Sequence, residues 1–220
     1  MRVSKPSQPR RMAQVTEETR ALILEAAEFE FAARGFAAAR LSDVAERVGI
    51  SRAAVLYHFD DKQALYDAVL EAAFEPLSER IRAALSAPGS NAQRIERLLA
   101  AWFDYAAQRP ALGRLFLREV AEAEGALRPE LERLAAPMFA AFLDTIERGQ
   151  RAGEFRAADA RHVANILSGA AIWLLTGAQM LGGGDAEPRE RRLAQHRDEL
   201  VGVARHLLGV ETPGAVDSGG

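Results

Sequence analysis

The sequence predicts an all-α fold of about nine helices, with a small three-helix helix-turn-helix head followed by a larger helical body. Three observations predict it. Hydrophobic residues make up 49% of the 220-residue chain and aromatics only 7%, so the apolar content leans on Ala and Leu; both lose little conformational freedom in a helix and bury no polar group there. Apolar residues recur at helical spacing along most of the chain, and the breaks carry Pro and Gly, as at Arg109-Pro110, Gly125, Gly153 and Gly182-Gly183-Gly184. No run of alternating β-branched residues is bounded by Asn-Gly or Asp-Gly, so hairpins have no support.

In chain order, residues 1–15 read as a flexible basic arm, because Arg2, Lys5, Arg10 and Arg11 precede the first acid, Glu17. This arm is either a solvated tail or a contact to phosphates or a minor groove. Residues 16–62 form the head. Its first helix is expected over 16–34, with Thr16 as N-cap, Glu17 and Glu18 at the positive end of the dipole, and Gly35 ending it. Residues 63–210 form the body. A long helix over about 62–85, kinked at Pro76, is followed by a loop at 86–91 and helical patterns at 92–108, 110–121, 129–151, 159–181 and 188–208. Residues 211–220 are polar and glycine-rich and are expected to be disordered.

Composition removes several function classes. The absence of cysteine excludes disulfides and thiolate metal sites and fits a reducing cytoplasm, the expected location. No apolar stretch follows the N-terminal charges, so a secretory signal is not expected. No membrane span is expected either: the nearest approach, 163–181, is interrupted by Asn165, Ser168, Thr176 and Gln179. His58, His162, His196 and His206 lack metal-ligand spacing, and neither a phosphate-binding loop nor a nucleophile elbow occurs. No catalytic residue, metal or cofactor is assigned, and the chain is not read as an enzyme. Net charge is −3, but residues 1–62 carry ten Lys and Arg against nine Asp and Glu, while the remainder carries 18 against 22.

Residues 41–59 carry the sharpest signal. Val44, Ala45 and Val48 make an apolar stripe on a first short helix, Gly49 suits the positive φ of a tight corner, and Ile50 plugs it. Ser51 then caps a second helix in which Val55 and Phe59 point to the core while Ala53 and Tyr57 point away. Small residues at the start of the outer face let that turn press into a major groove, where Arg52 can reach a guanine edge or a phosphate. Tyr57, His58 and Lys62 are placed for phosphate oxygens. An ordinary helix–helix corner meeting a protein partner is the competing reading of the same pattern.

The series Ile23-Leu24-Glu25-Ala26-Ala27, Phe31, Arg34-Gly35-Phe36, then residues 44–51 and His58-Phe59-Asp60-Asp61-Lys62-Gln63-Ala64-Leu65 closely resembles the TetR family of bacterial regulators. The resemblance is specific over about residues 20–70. It implies a DNA-binding head, a larger effector-binding domain and a two-fold dimer, usually a repressor that leaves a near-palindromic double-stranded operator when a small molecule binds. By position it implies DNA contacts from Ser51, Arg52, Ala53 and Ala54, with Tyr57, His58 and Lys62 at the phosphate-contacting end; Ser42, at the start of the first short helix, is counted with them as a DNA-binding candidate. Three residues depart from the pattern: Arg40 stands where a capping Thr is common, so the cap passes to Ser42 or is absent; Leu56 stands where Tyr is usual; and Glu30 stands where Leu is common, turning outward or pairing with Arg34.

In the body, Phe74, Trp102, Phe103, Phe116, Met138, Phe142 and Trp173 are the candidates for lining an apolar effector pocket, against the plainer reading that most are core. Glu119 is expected on the surface, with a buried polar anchor as the lesser alternative. The stretch 166–178, with Leu193, Leu200, Val203, Ala204, Leu207 and Leu208, is expected to pack against its copy in a second chain as a four-helix bundle, or to be buried within the monomer.

Overall fold

The helical periodicity of the first forty residues folds as a longer element than its capping signals predict. In the computed structural model, which describes residues 8–123, 126–176 and 188–210, helix α1 spans Gln8–Ala38. Thr16 lies inside it rather than at its start. The residues before Thr16 are good helix formers (Gln, Arg, Met and Ala), so nothing stops the helix at a merely permissive cap. The expected flexible arm therefore loses 8–15 to α1, and residues 1–7 fall outside the described residues. Gly35 interrupts α1 with φ 77° and ψ 168° before one further turn. The positive φ makes the position one for glycine; the Glu122 carboxylate, 2.8 Å from where a Cβ would stand, is the end of a flexible side chain and could move aside.

Helix α2 spans Leu41–Val48 and α3 Arg52–His58, completing the head. The body follows as α4 Lys62–Ser86, α5 Asn91–Gln108, α6 Leu112–Glu122, α7 Pro129–Arg151, α8 Ala160–Thr176 and α9 Arg189–Leu208. Helix α4 runs through Pro76, and α5 opens with a reciprocal capping box between Ser90 and Gln93. Residues 177–181 of the expected eighth helix, the glycine run that follows, and the tail 211–220 lie outside the described residues.

Helix α4 is the axle. It packs on α1 at its N-terminal end and on α5 and α7 along its length, while α9 covers α5 and α8. Ile23, Ala27 and Phe31 of α1, Val44 and Ala45 of α2, and Val55 of α3 are at most 3% exposed. Through Leu65 and Tyr66 of α4 they join one continuous apolar core that reaches Leu208 at the end of α9. Head and body are thus parts of one cooperative core, and polar links then fix their relative angle.

Those links converge on the end of α1. Arg118 of α6 donates to the Ala32 and Ala33 carbonyls at 2.9 and 2.6 Å, and Lys62 of α4 donates to the Ala37 carbonyl at 3.0 Å. Cations thereby meet the carbonyls that a helix end leaves unpaired. Beneath them Phe31, Phe36 and Tyr66 form an aromatic cluster with centroid spacings of 4.6 to 6.3 Å, and Arg128 lies over both Phe36 and Tyr66. The Tyr66 hydroxyl donates to Glu119, which also pairs with Arg128 at 3.3 Å. Burial, then the Glu119 hydrogen bond and charge, pushes the Tyr66 hydroxyl well above the ordinary tyrosine range. Glu119 is 3% exposed, so its expected surface position is corrected: α6 has an apolar face turned inward, and Glu119 lies on it with two partners that make burial tolerable.

Candidate nucleic-acid interface

The corner between α2 and α3 is built by three local devices. Gly49 adopts φ 77° and ψ 31°, and the Gly49 and Ile50 amides donate back to the Glu46 and Ala45 carbonyls at 3.1 and 3.0 Å, closing α2 in the pattern glycine favours. Ser51 then takes extended backbone and its hydroxyl accepts from the Ala54 amide at 3.1 Å, starting α3. Val55 at 0% and Phe59 at 6% exposure pin α3 to α1 and α2; each such side chain contributes about 1.5–3 kcal/mol through burial.

With Val55 and Phe59 turned inward, the opposite side of α3 is free. Ser51, Arg52 and Ala53 are exposed, Ala54 and His58 are half-buried, and Tyr57 is 81% exposed with its ring edge-on to His58 at 5.4 Å. The small residues leave the first turn of α3 unobstructed, Arg52 extends from it, and the Tyr57 hydroxyl reaches past it. Ser42, at the start of α2, is also exposed, although its hydroxyl donates to the neighbouring Asp43 carboxylate at 3.1 Å. Ser42, Arg52 and Lys62 border one shallow depression together with Arg40. Of the eight residues singled out from the sequence, three border that depression and the other five belong to α3 or its cap, with one qualification. Lys62 is half-buried, committed to the Ala37 carbonyl, and 4.7 Å from the Phe36 ring centroid, so its charge first serves the α1–α4 joint.

Two residues acquire roles that the sequence did not give them. Arg40 occupies the N-cap position of α2 without a side-chain cap and is exposed beside Arg52, adding a cation to this side. Glu30 turns inward at 5% exposure, where Arg34 and Arg47 each approach it to 3.1 Å. It ties α1 to α2, and Arg34 extends the tie to Asp43 at 2.9 Å. The pairing with Arg34 was legible as an i,i+4 spacing; Arg47, seventeen residues away, had no periodic signal.

The candidate effector-pocket residues do not form one site. Phe74, Trp102 and Phe116 border a common cavity with Leu77, Leu112, Ile172 and Leu175, yet its free volume is about 10 Å³, room for no more than a single water. Phe103 and Phe142 are packed in the core, Met138 is half-buried, and Trp173 is 48% exposed on α8. Trp173 misses the cavity because the cavity-facing positions of its helix, Ile172 and Leu175, lie on another side.

Comparison with known proteins agrees with this division of the chain. Residues 23–69 match the family model described as bacterial regulatory proteins of the tetR family, and residues 88–176 match the tetracyclin repressor-like C-terminal domain. The HTH-type transcriptional regulator TtgR of Pseudomonas putida is 42% identical over 77 residues, 35% of this chain and 37% of that one. The HTH-type transcriptional activator FasR of Mycolicibacterium smegmatis is 36% identical over 89 residues, 40% and 41% of the two chains. The chain therefore spans only about two fifths of the length of these curated relatives. Among solved structures, the ketosteroid transcriptional regulator KstR2 of Mycobacterium tuberculosis superposes with a TM-score of 0.70 at 20% identity, covering 92% of this chain and 98% of that one. The transcriptional regulator SCO4942 of Streptomyces coelicolor gives 0.66 at 25% identity, covering 88% and 99%. With both of its helical units matched in order, this chain belongs to the TetR family of bacterial regulators.

Proposed function

We propose that the protein is a homodimeric, ligand-responsive transcriptional regulator, a repressor that grips a near-palindromic double-stranded operator with α3. One observation carries this reading. The outer side of α3 combines small residues at its first turn with Arg52 and an 81%-exposed Tyr57, while its inner side is pinned by Val55 and Phe59. A rigid helix with that face enters a major groove end-first, and neighbouring Arg and Tyr side chains reach base edges and phosphates.

Dimerisation supplies the second half-site. Ile166 and Trp173 of α8 and Val203 of α9 are 51%, 48% and 48% exposed, and among the described residues nothing beyond the local helix backbone lies within 4 Å of where a Cβ would stand on Gly169 or Gly202. Exposed apolar side chains beside small ones suit close packing against a copy of the same surface. Two α3 helices about 34 Å apart then face successive major-groove turns. Among the described residues no helix is long and apolar enough to cross a membrane, and a cytoplasmic, DNA-associated location follows from the same reading.

The test is a gel-shift titration against the DNA upstream of the protein's own gene, repeated for Arg52→Ala and Tyr57→Phe at several salt concentrations. The expected result is sequence-specific binding that weakens on both substitutions, with a shallower salt dependence when Arg52 is lost. Absent or sequence-independent binding at moderate salt would instead favour a protein-interaction module.

A further inference from the structure

Helix α2 begins on a residue that helix chemistry disfavours. A favoured N-cap side chain accepts a hydrogen bond from a first-turn amide, and the positive end of the helix dipole repels a cation. Arg40 holds that position in extended backbone, φ −121° and ψ 139°, and makes no side-chain cap. Its guanidinium is exposed and gains nothing elsewhere in the fold: it has no hydrogen bond, ion pair or ring contact among the described residues. The next two helices start conventionally, Ser51 capping α3 at the Ala54 amide and Asp61 capping α4 at the Ala64 amide. A local rule broken without a compensating contact is what a functional position looks like. We propose that Arg40 is a DNA-holding residue, gripping a backbone phosphate beside the groove entered by α3 at a cost to the stability of α2. The proposal rests on the regulator reading above.

Position and charge point to phosphate. Arg40 borders one shallow depression with Ser42 of α2, Arg52 and Leu56 of α3, and the α3–α4 corner at 60–62. It thus shares a surface with the first residue of α3. Within that lining Lys62 is committed to the Ala37 carbonyl and Asp61 to the α4 cap, which leaves Arg40 and Arg52 unpaired against Asp60. On its other flank Arg40 borders Glu30, Arg34, Asp43, Glu46 and Arg47. There Arg34 and Arg47 share Glu30, while Arg34 and the Ser42 hydroxyl take one oxygen each of Asp43. Two acids that could draw Arg40 onto the protein are therefore already occupied, and Glu46 forms no ion pair with it. In a helix-turn-helix the first helix crosses the DNA backbone while the second reads bases. A cation at the start of α2 accordingly meets phosphate, a contact that fixes register and carries no sequence information.

The test pairs thermal unfolding of Arg40→Thr with gel-shift titration on two duplexes, the DNA upstream of the protein's own gene and a scrambled duplex of the same length and composition. Threonine is a good N-cap, so the variant should unfold at the wild-type temperature or above it. Its affinity for both duplexes should nevertheless fall about tenfold with their ratio unchanged, and the slope of log K against log salt should shrink by about 0.9 for each bound head. Arg40→Lys keeps the charge and should retain most of the affinity and of the slope. Stability and binding that move in opposite directions are not what a merely structural Arg40 would give. Wild-type affinity in Arg40→Thr would overturn the proposal. So would a loss confined to the upstream duplex, which would make Arg40 a base reader, or a lower unfolding temperature, which would give it a part in the fold. Wild-type protein that shifts neither duplex sinks the regulator reading and this proposal with it, whereas wild-type shifts indifferent to Arg40 sink this proposal alone.

Discussion

Removing Arg109 should destabilise the protein more than any surface charge could, because Arg109 is the partner of a carboxylate the fold has buried. Glu28 lies on the inner side of α1 at 6% exposure. The Arg109 guanidinium pairs with it and also donates to the Ala72 carbonyl and, at 2.9 Å, to the Tyr105 hydroxyl, linking α1, α4 and α5. The Glu28 interaction is also what holds the Arg109 guanidinium charged against its burial. Arg109→Ala leaves Glu28 uncompensated, at a cost of about 3–5 kcal/mol. Against a total stability of about 5–15 kcal/mol this is a third or more. In urea at fixed protein concentration, with a slope of about 2–3 kcal/mol/M, the midpoint should fall by about 1.5 M. Glu28→Leu with Arg109→Met should recover most of the loss, since an apolar pair carries no desolvation penalty. A loss under about 1 kcal/mol at about pH 8, or a double variant as unstable as the single one, would refute the reasoning.

Gly49→Ala meets no steric obstacle among the described residues, since none beyond its chain neighbours lies within 4 Å of the added Cβ, so its cost is the left-handed backbone; about 1–2 kcal/mol is expected, read as a Tm lower by about 2–8 °C. Ser51→Ala removes the cap on the Ala54 amide and should cost about 1 kcal/mol, with faster hydrogen exchange at Ala54 as the local signature. Ile166→Glu places a charge on the exposed apolar face of α8; light scattering should report a shift from dimer toward monomer with the helical circular dichroism unchanged, and an undiminished dimer would remove that face from the interface.

The head was legible because its geometry is set by neighbours in sequence. Gly49, Ser51, Val55 and Phe59 act within one corner, so spacing alone fixes which residues turn in and which turn out, and the structure places them accordingly. Helix α7 was legible to the residue, since Pro129 starts it and Gly153 follows its end. The start of α1 was not, because a permissive cap at Thr16 cannot stop a helix whose preceding residues favour helix. The candidate pocket residues scattered for a different reason. Aromatic identity marks bulk and says nothing of which wall of a helix faces a void: Phe103 and Phe142 are core, Trp173 points outward, and Phe74, Trp102 and Phe116 meet around a cavity of about 10 Å³. Glu30 and Glu119 were misplaced or unplaced because the partners that permit their burial, Arg47, Tyr66 and Arg128, lie on other elements.

Those long-range pairs give α6 a hold on the head at two points. Through Arg118 it grips the carbonyls that end the main run of α1, and through Glu119 it grips Tyr66 near the start of α4. Adjacent residues on a helix face different directions, so α6 is clasped between α1 and α4 and cannot shift along its axis without straining one bond set. Arg118→Ala should release the α1 grip alone. Ala33 is exposed whereas Ala32 is buried, so water can replace the guanidinium readily at one carbonyl only, and global stability should fall by about 1–2 kcal/mol. Local opening is where the change should appear: amide exchange over 33–39, the turn around Gly35, should accelerate several-fold more than exchange at Leu65 or Leu70 in the shared core. Uniform acceleration across both regions would mean that Arg118 contributes general stability, and that head and body move as one piece without it.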